Sequence, residues 1–271
     1  MLFYPRLWGT FARNSLIRDM TFRSNFLIEI VSSTIWMLMN LGFYVLIYQV
    51  TSSIAGWDQH QFFLFIATTM LINSVVQACF MPNAQELSEL VRTGGLDFAL
   101  LKPVDTQFLV SLRKVNWSSL GNVVVALGLM VYALPRVEGP PPHPIAWLLY
   151  PLYLAVGVAI MYSIMMTLAA TSIWLGRNQT LYDFWFYITN FSRYPMEIYG
   201  GSVVGDSLRV AFTYVLPILV VINVPARLLA KPLTTEYAGL AVFALLAGAM
   251  ALWGSRWVFQ RALLSYRSAS S

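Results

Sequence analysis

Charged side chains are scarce in this chain of 271 residues: only 11% are Asp, Glu, Lys or Arg, whereas 58% are hydrophobic. Soluble domains typically carry about 25% charged residues. A chain of this length cannot cover a water-exposed surface with so little charge. The composition therefore excludes an ordinary soluble domain and predicts an integral membrane protein whose surface faces lipid.

Cysteine, histidine and lysine are also scarce. Cys79 is the single cysteine, which excludes an internal disulfide and a thiolate metal site. His60 and His143 each stand alone in a polar stretch, and we interpret them as solvated loop residues rather than metal ligands. None of the three lysines follows a glycine, so the G-x-x-x-x-G-K-[ST] loop that cradles nucleotide phosphates is absent from the sequence. We expect no cofactor and no catalytic residue in this chain.

Long apolar runs fill most of the sequence. A helix needs about 20 apolar residues to cross a hydrocarbon core of ~30 Å, and helices satisfy their own backbone there. We predict an all-α integral membrane protein, a single domain over residues 1–271 with six transmembrane helices. Five clear runs cover residues 26–50, 62–80, 117–134, 145–174 and 237–258, and the sixth span lies within 181–230.

The first 24 residues contain four arginines among aromatic and aliphatic residues. Tyr4, Trp8 and Phe11 fall on one helical face, while Arg6 and Arg13 lie away from it. This pattern predicts an amphipathic helix in the membrane interface over residues 1–24. A disordered basic tail is the alternative, which the aromatic residues disfavour.

Residues 193–230 interrupt the apolar pattern with a glycine pair and with Pro217 and Pro225. Two complete crossings here would make seven spans, whereas one crossing and a re-entrant helical element before the last span make six. Irregular backbone at bilayer depth is tolerated only where protein or a cavity covers it. We therefore expect 193–230 to line or cap a pathway, and the two prolines to shape its turn.

The distribution of basic residues favours six spans. Six spans place both termini and twelve of the seventeen basic residues on the inner side, but a seventh span would leave only nine there. The positive-inside rule therefore supports six. Trp57 and Trp147 would then mark the outer membrane interface.

Charged residues inside apolar runs are costly, so each is a candidate for a role in translocation or gating. Glu29 lies near the inner end of the first span, where it could reach the interface or pair with an arginine. Arg193 and Glu197 are four residues apart and could pair on one helix face. Such a pair could brace the broken element or line a gate.

Residues 82–116 form the longest polar stretch on the predicted inner side. Asn83 followed by Glu86 predicts a helix N-cap with a capping box, and Gly94 with Gly95 predicts the helix end. Apolar positions rimmed by charges are typical of a protein contact, although a loop helix on lipid headgroups would show the same pattern. The candidate contact residues are Glu86, Leu87, Glu89, Leu90, Arg92, Leu96 and Asp97.

The run LVRTGGLDFALLKP, residues 90–103, closely resembles the R-T-G-x-L-D-x-x-L-L-K/R-P motif of one branch of the ABC-2-type transporter permeases. The stretches FSRYPMEIY at 191–199 and YVLP at 214–217 resemble the same branch. Order and spacing agree over nearly the whole chain. Gly95 departs from the pattern, since many relatives have a polar or acidic residue at this position.

The resemblance implies the membrane-spanning subunit of an ATP-binding cassette exporter in the bacterial cytoplasmic (inner) membrane, with both termini in the cytoplasm. Cytoplasmic ABC ATPase subunits, which hold ATP and Mg²⁺, would dock on loop 82–116. A second permease, identical or related, would supply the other half of the pathway within the lipid. We expect neither enzymatic activity in this chain nor nucleic-acid binding.

Two other classes are disfavoured by the residues present. A secondary transporter driven by an ion gradient usually needs carboxylates at the middle of its spans, and four of the predicted spans have none in their cores. A membrane-embedded lipid-modifying enzyme needs clustered His, Asp or Glu at the interface, and the sequence shows no such spacing.

Overall fold

The computed structural model describes residues 3–138, 142–175, 179–232 and 234–266, and these are almost entirely helical. Among them, five helices are long and apolar enough to cross a membrane, and one bent helix pair would make a sixth span. The count is therefore five or six spans, and it is six if the bent pair crosses the membrane. Arg177 and Arg267, which the charge argument places on the inner side, lie outside the described residues.

The helices follow the predicted apolar runs. In chain order they are α1 (Phe3–Thr21), α2 (Arg23–Val50), α3 (Gln59–Cys79), α4 (Met81–Arg92), α5 (Gly95–Leu100), α6 (Thr106–Leu112), α7 (Gly121–Ala133), α8 (Pro144–Ala170), α9 (Ser172–Leu175), α10 (Gln179–Asn190), α11 (Val203–Val210), α12 (Ile218–Ala230) and α13 (Thr235–Ser265). Helix α10 has only 12 residues, about 18 Å at 1.5 Å per residue, so it cannot cross the bilayer alone.

The main hydrophobic core lies between α3, α7, α8, α12 and α13. Helix α12 is its central element, because nearly all of its residues are buried. Pro225 lies inside this helix and has no N–H, so the Val221 carbonyl loses its helical hydrogen bond. Helix α8 passes so close at this point that a Cβ on Gly157 would lie 2.8 Å from the Val221 oxygen.

Helix α2 lies at the edge of this core. None of its 28 residues, all of which the structure describes, is buried, although Leu41, Tyr44 and Tyr48 pack against the core. The rest of its apolar surface is free to contact lipid or another subunit.

The predicted start of α4 is wrong. Pro82 lies in the first helical turn, and the helix starts at Met81, with only Phe80 between it and the end of α3. Together α3 and α4 run for 34 residues. Asn83 is therefore not an N-cap. Its side-chain amide donates to the carbonyl of Lys114 at 2.7 Å and accepts from the Lys114 amide at 2.8 Å. Glu86 likewise forms no capping box but pairs with the Lys114 amine at 2.8 Å.

Helix α1 packs against the segment that leads into α7. The Trp117 indole donates to the Ala12 carbonyl at 2.9 Å, and the Ser15 hydroxyl accepts from the Val115 amide at 3.1 Å. These hydrogen bonds hold α1 against residues 115–117. The placement of this helix in a membrane interface stays a prediction.

Candidate functional site

Helices α4, α5 and α6 form a compact three-helix unit, residues 81–112, beyond the end of the second span. The predicted glycine stop is confirmed, because α4 ends at Arg92 and Gly94 takes a left-handed backbone conformation with φ of 73°. Helix α5 starts directly afterwards. Helix α6 is capped by Asp105, whose carboxylate accepts from the Phe108 amide at 2.9 Å.

A second hydrophobic core joins this unit to the ends of α8 and α13. Leu87 of α4 and Leu96 of α5 are completely buried in it, in one cluster with Met166 of α8 and Phe259 of α13. The other buried members are Ala99, Leu109, Val110, Ala170 and Ala262. The unit is therefore built onto two spans that are distant in sequence.

The free surface of the unit combines apolar and charged side chains. Phe98 and Leu101 are 72% and 81% exposed. Arg92 and Glu89 form a two-bond ion pair at 2.9 and 2.5 Å, and both side chains are more than half exposed. Phe98 also borders a cavity of about 240 Å³ together with Leu90, Lys102 and Arg113. An exposed apolar pair beside mixed charges suits contact with another protein.

A polar network ties α6 to α13 and α8. The Arg256 guanidinium donates to both carboxylate oxygens of Asp105, at 2.9 Å to Oδ1, and to Gln107 Oε1 at 3.1 Å. The Gln107 amide donates to the Tyr162 hydroxyl at 3.0 Å, which also bonds Ser111 at 3.0 Å. Burial opposes ionisation of Asp105, but the bonds from Arg256 and Phe108 outweigh it and hold the pKa of this carboxyl below its usual value.

A second polar cluster, consisting of Trp57, Glu197, Arg227 and Lys231, lies at the C-terminal end of α12. Trp57 is completely buried, and its indole donates to Glu197 Oε2 at 3.1 Å. The Arg227 guanidinium lies 3.1 Å from Glu197 Oε1. The Lys231 amine sits 4.3 Å from the centre of the Trp57 ring and donates to the Gly56 carbonyl at 2.8 Å. The cluster therefore joins the α2–α3 loop, the turn before α11 and the end of α12.

Lys231 also borders a cavity of about 920 Å³ near the end of α7 and the start of α8, where Leu134 and Trp147 form part of the wall. Burial lowers the pKa of Lys231, and the Glu197 carboxylate partly counteracts this effect.

The second half of the bent helix pair, α12, carries Arg227 of the second polar cluster. The two halves of the pair, Val203–Val215 and Ile218–Ala230, meet at an angle of 87°. Pro217 stands at the bend, immediately before α12. The buried side chain of Asn223 accepts from the Met196 amide at 2.9 Å, which ties α12 to the turn before α11. Whether this pair is one broken span or a re-entrant element stays a prediction.

A family model described as ABC-2 family transporter protein matches residues 34–270. The chain belongs to the ABC-2 transporter family. Comparisons with curated proteins and with solved structures gave no match. As an ABC-2 protein, the chain is a membrane permease component of an ABC transporter, a family that associates with ABC ATPase subunits. It is a transport component and not itself a catalytic enzyme.

In this ABC-2 protein the seven candidate contact residues of the three-helix unit differ in exposure. Leu87 and Leu96 are buried, and so they stabilise the unit from inside. Glu89 and Arg92 are exposed. The remaining three, Glu86, Leu90 and Asp97, are partly exposed. Phe98 and Leu101 lie within the motif, but only the structure shows that they are the most exposed apolar side chains of the unit, ahead of Leu100.

The residues predicted to act in translocation or gating do not form one cluster in the structure. The predicted pairing of Arg193 with Glu197 is wrong: α10 ends at Asn190, and Pro195 stops the helix that an i,i+4 pair needs. Arg193 is exposed, and Glu197 pairs with Arg227 instead. Glu29 accepts a hydrogen bond from the Asn116 amide at 3.0 Å.

Two further corrections concern residues around these sites. The Trp57 ring does not face lipid as a belt residue would, because it is buried against Lys231 and Phe65, and its depth in the membrane stays a prediction. Asp105 and Arg256, which form the polar tie between α6 and α13, were not among the sequence candidates. A charged residue at the end of a span gives no local sign of a partner 151 residues away.

Proposed function

We propose that this ABC-2 protein is the permease subunit of an ATP-driven exporter, in which the three-helix unit is the docking site of a cytoplasmic ABC ATPase. The observation that carries the proposal is the exposure of Phe98 and Leu101 on a unit that also exposes the Glu89–Arg92 pair. Leu87 and Leu96 are buried beneath that surface, so the unit would move as one packed body when the bound ATPase changes conformation.

Energy for transport would come from the ATPase, which binds ATP and Mg²⁺. The chain would sit in the bacterial cytoplasmic membrane with both termini in the cytoplasm, as the distribution of arginines favours. A second permease subunit, a copy or a related chain, would complete the pathway. The apolar surface of α2 is available for that contact.

Residues at the C-terminal end of α12 are suited to closing the pathway. The Trp57–Glu197–Arg227–Lys231 cluster joins three separate segments through two hydrogen bonds and one ion pair. Such a cluster can exist in a closed and an open arrangement, so it would act as the outer gate. Pro217 would set the bend at the N-terminal end of α12, and Pro225 would let α8 approach α12.

The docking proposal is tested by truncating the exposed apolar pair. Phe98→Ala combined with Leu101→Ala should weaken co-purification of the ABC ATPase by about tenfold or more, because apolar anchors at the centre of an interface are each worth ~1–3 kcal/mol. Stimulation of ATP hydrolysis by the permease should fall in parallel.

Phe22→Ala is the matched control, since Phe22 is 64% exposed but lies at the α1–α2 junction. It should leave ATPase binding unchanged. Full ATPase binding by the Phe98–Leu101 double variant would overturn the docking site.

A further inference from the structure

The three-helix unit is anchored to spans that do not adjoin it in sequence. It follows α3 directly, and so a push on it would be expected to move α3 and the next span, α7. The second hydrophobic core shows a different attachment, because Leu87 and Leu96 are buried with Met166 of α8 and Phe259 of α13. Besides its chain connection to α3, the docking surface is therefore packed through this core against α8 and α13.

Helix α6 is attached by packing on one side, through Leu109 and Val110, and by polar bonds on another. A cavity of about 450 Å³ lies beside it, bordered by Phe108 of α6, Phe80, Leu252 and the tie residues Asp105 and Arg256. On the side that faces this open groove, the hydrogen bonds from Arg256 to Asp105 and Gln107 hold α6 to α13.

The geometry of the tie suits that task. Arg256 reaches both oxygens of Asp105, so the carboxylate and guanidinium planes are fixed relative to each other. Asp105 is in turn fixed to α6 as its N-cap. Gln107 bonds Arg256 with its oxygen and Tyr162 with its amide, which extends the tie to α8.

We infer that Asp105 and Arg256 are positioning residues that transmit movement of the three-helix unit to the last span, α13, with Gln107 and Tyr162 as a branch to α8. This inference rests on the proposed docking of an ATPase. It adds that movement driven by the ATPase reaches α13, the last span, directly. The Asp105–Arg256 pair transmits this movement, rather than the chain connection through α3.

The test separates assembly from movement. Spin labels are placed at Leu46→Cys on α2 and Leu246→Cys on α13, two exposed positions, in a Cys79→Ser background. The label-to-label distance is measured in the permease–ATPase complex with and without ATP, and the bound ATPase is quantified in the same samples. With Asp105 and Arg256 unaltered, the labelled protein should show an ATP-dependent change in the distance distribution.

Arg256→Gln and Asp105→Asn should each bind the ATPase normally but reduce the fraction of molecules that shift with ATP about fivefold or more. The exchanged pair, Asp105→Arg with Arg256→Asp, should restore part of the shift. Arg256→Lys, which keeps the charge but has fewer donors, should lie between Arg256→Gln and the unaltered chain.

The matched control is Arg261→Gln on the same helix, because the Arg261 guanidinium stacks near Trp257, 5.6 Å from its ring centre, and not on α6. It should leave the shift intact. A full ATP-dependent shift in both Arg256→Gln and Asp105→Asn would overturn the inference while leaving the docking proposal standing. Failure of the unaltered chain to bind any ATPase would overturn the proposed function, and the inference with it.

Discussion

Replacing Gly157 with alanine tests how closely α8 packs against α12. The added Cβ would lie 2.8 Å from the Val221 carbonyl oxygen and 3.0 Å from Ile72 Cδ1. The Ile72 side chain can rotate, but the carbonyl belongs to the backbone of a buried helix. Reaching ordinary van der Waals contact at 3.4 Å requires the two helices to separate by about 0.6 Å at this point.

The expected change in the free energy of unfolding is the sum of two opposing effects. Overpacking a core of this kind costs about 1–3 kcal/mol, while replacing glycine by alanine within a helix returns about 0.5–1 kcal/mol. Gly128→Ala in α7 is the matched control, since its Cβ would meet nothing within 4 Å. The difference between the two variants removes the helix term and leaves the overpacking cost of about 1–3 kcal/mol.

Thermal unfolding of the purified protein in a lipid nanodisc measures this difference. At roughly 2–4 °C per kcal/mol for a chain of this size, Gly157→Ala should unfold between about 2 and 12 °C below Gly128→Ala. Equal unfolding temperatures for the two variants would refute the close packing of α8 against α12 at Val221.

Two further predictions concern buried polar contacts. Glu197→Gln should lower the free energy of unfolding by about 1–3 kcal/mol, because it weakens charge-assisted bonds in a partly buried cluster, whereas Glu89→Gln should cost less than 1 kcal/mol at an exposed pair. Asn223→Leu should cost about 1–3 kcal/mol by leaving the Met196 amide without its acceptor, and Asn40→Leu on exposed α2 about zero. Thermal unfolding checks both pairs, and a buried variant as stable as its exposed control would contradict the corresponding contact.

The spans and the end of α4 could be predicted from the sequence because they depend on local rules. Apolar runs of about 20 residues define the helices. Gly94 ends α4 because a left-handed residue after a helix favours glycine over any other type. Even so, the start of α4 was missed, since Pro82 allows the helix to begin before the apparent cap at Asn83.

The polar contacts of the candidate sites could not be predicted in the same way. Pairing Arg193 with Glu197 assumed a continuous helix, and the chain turns at Pro195 instead. The partners found, Arg227 for Glu197 and Asp105 for Arg256, are brought together by tertiary packing alone. No spacing rule relates residues on separate helices, so these pairs become visible only in the fold.

The central claim is that the three-helix unit lies in the cytoplasm and meets an ATPase there. It is tested most directly by labelling Leu101→Cys, in a Cys79→Ser background, with a membrane-impermeant thiol reagent added to right-side-out or inverted vesicles. The account predicts labelling only in inverted vesicles, with protection when the ABC ATPase is bound. Labelling of this position from the extracytoplasmic side would contradict it.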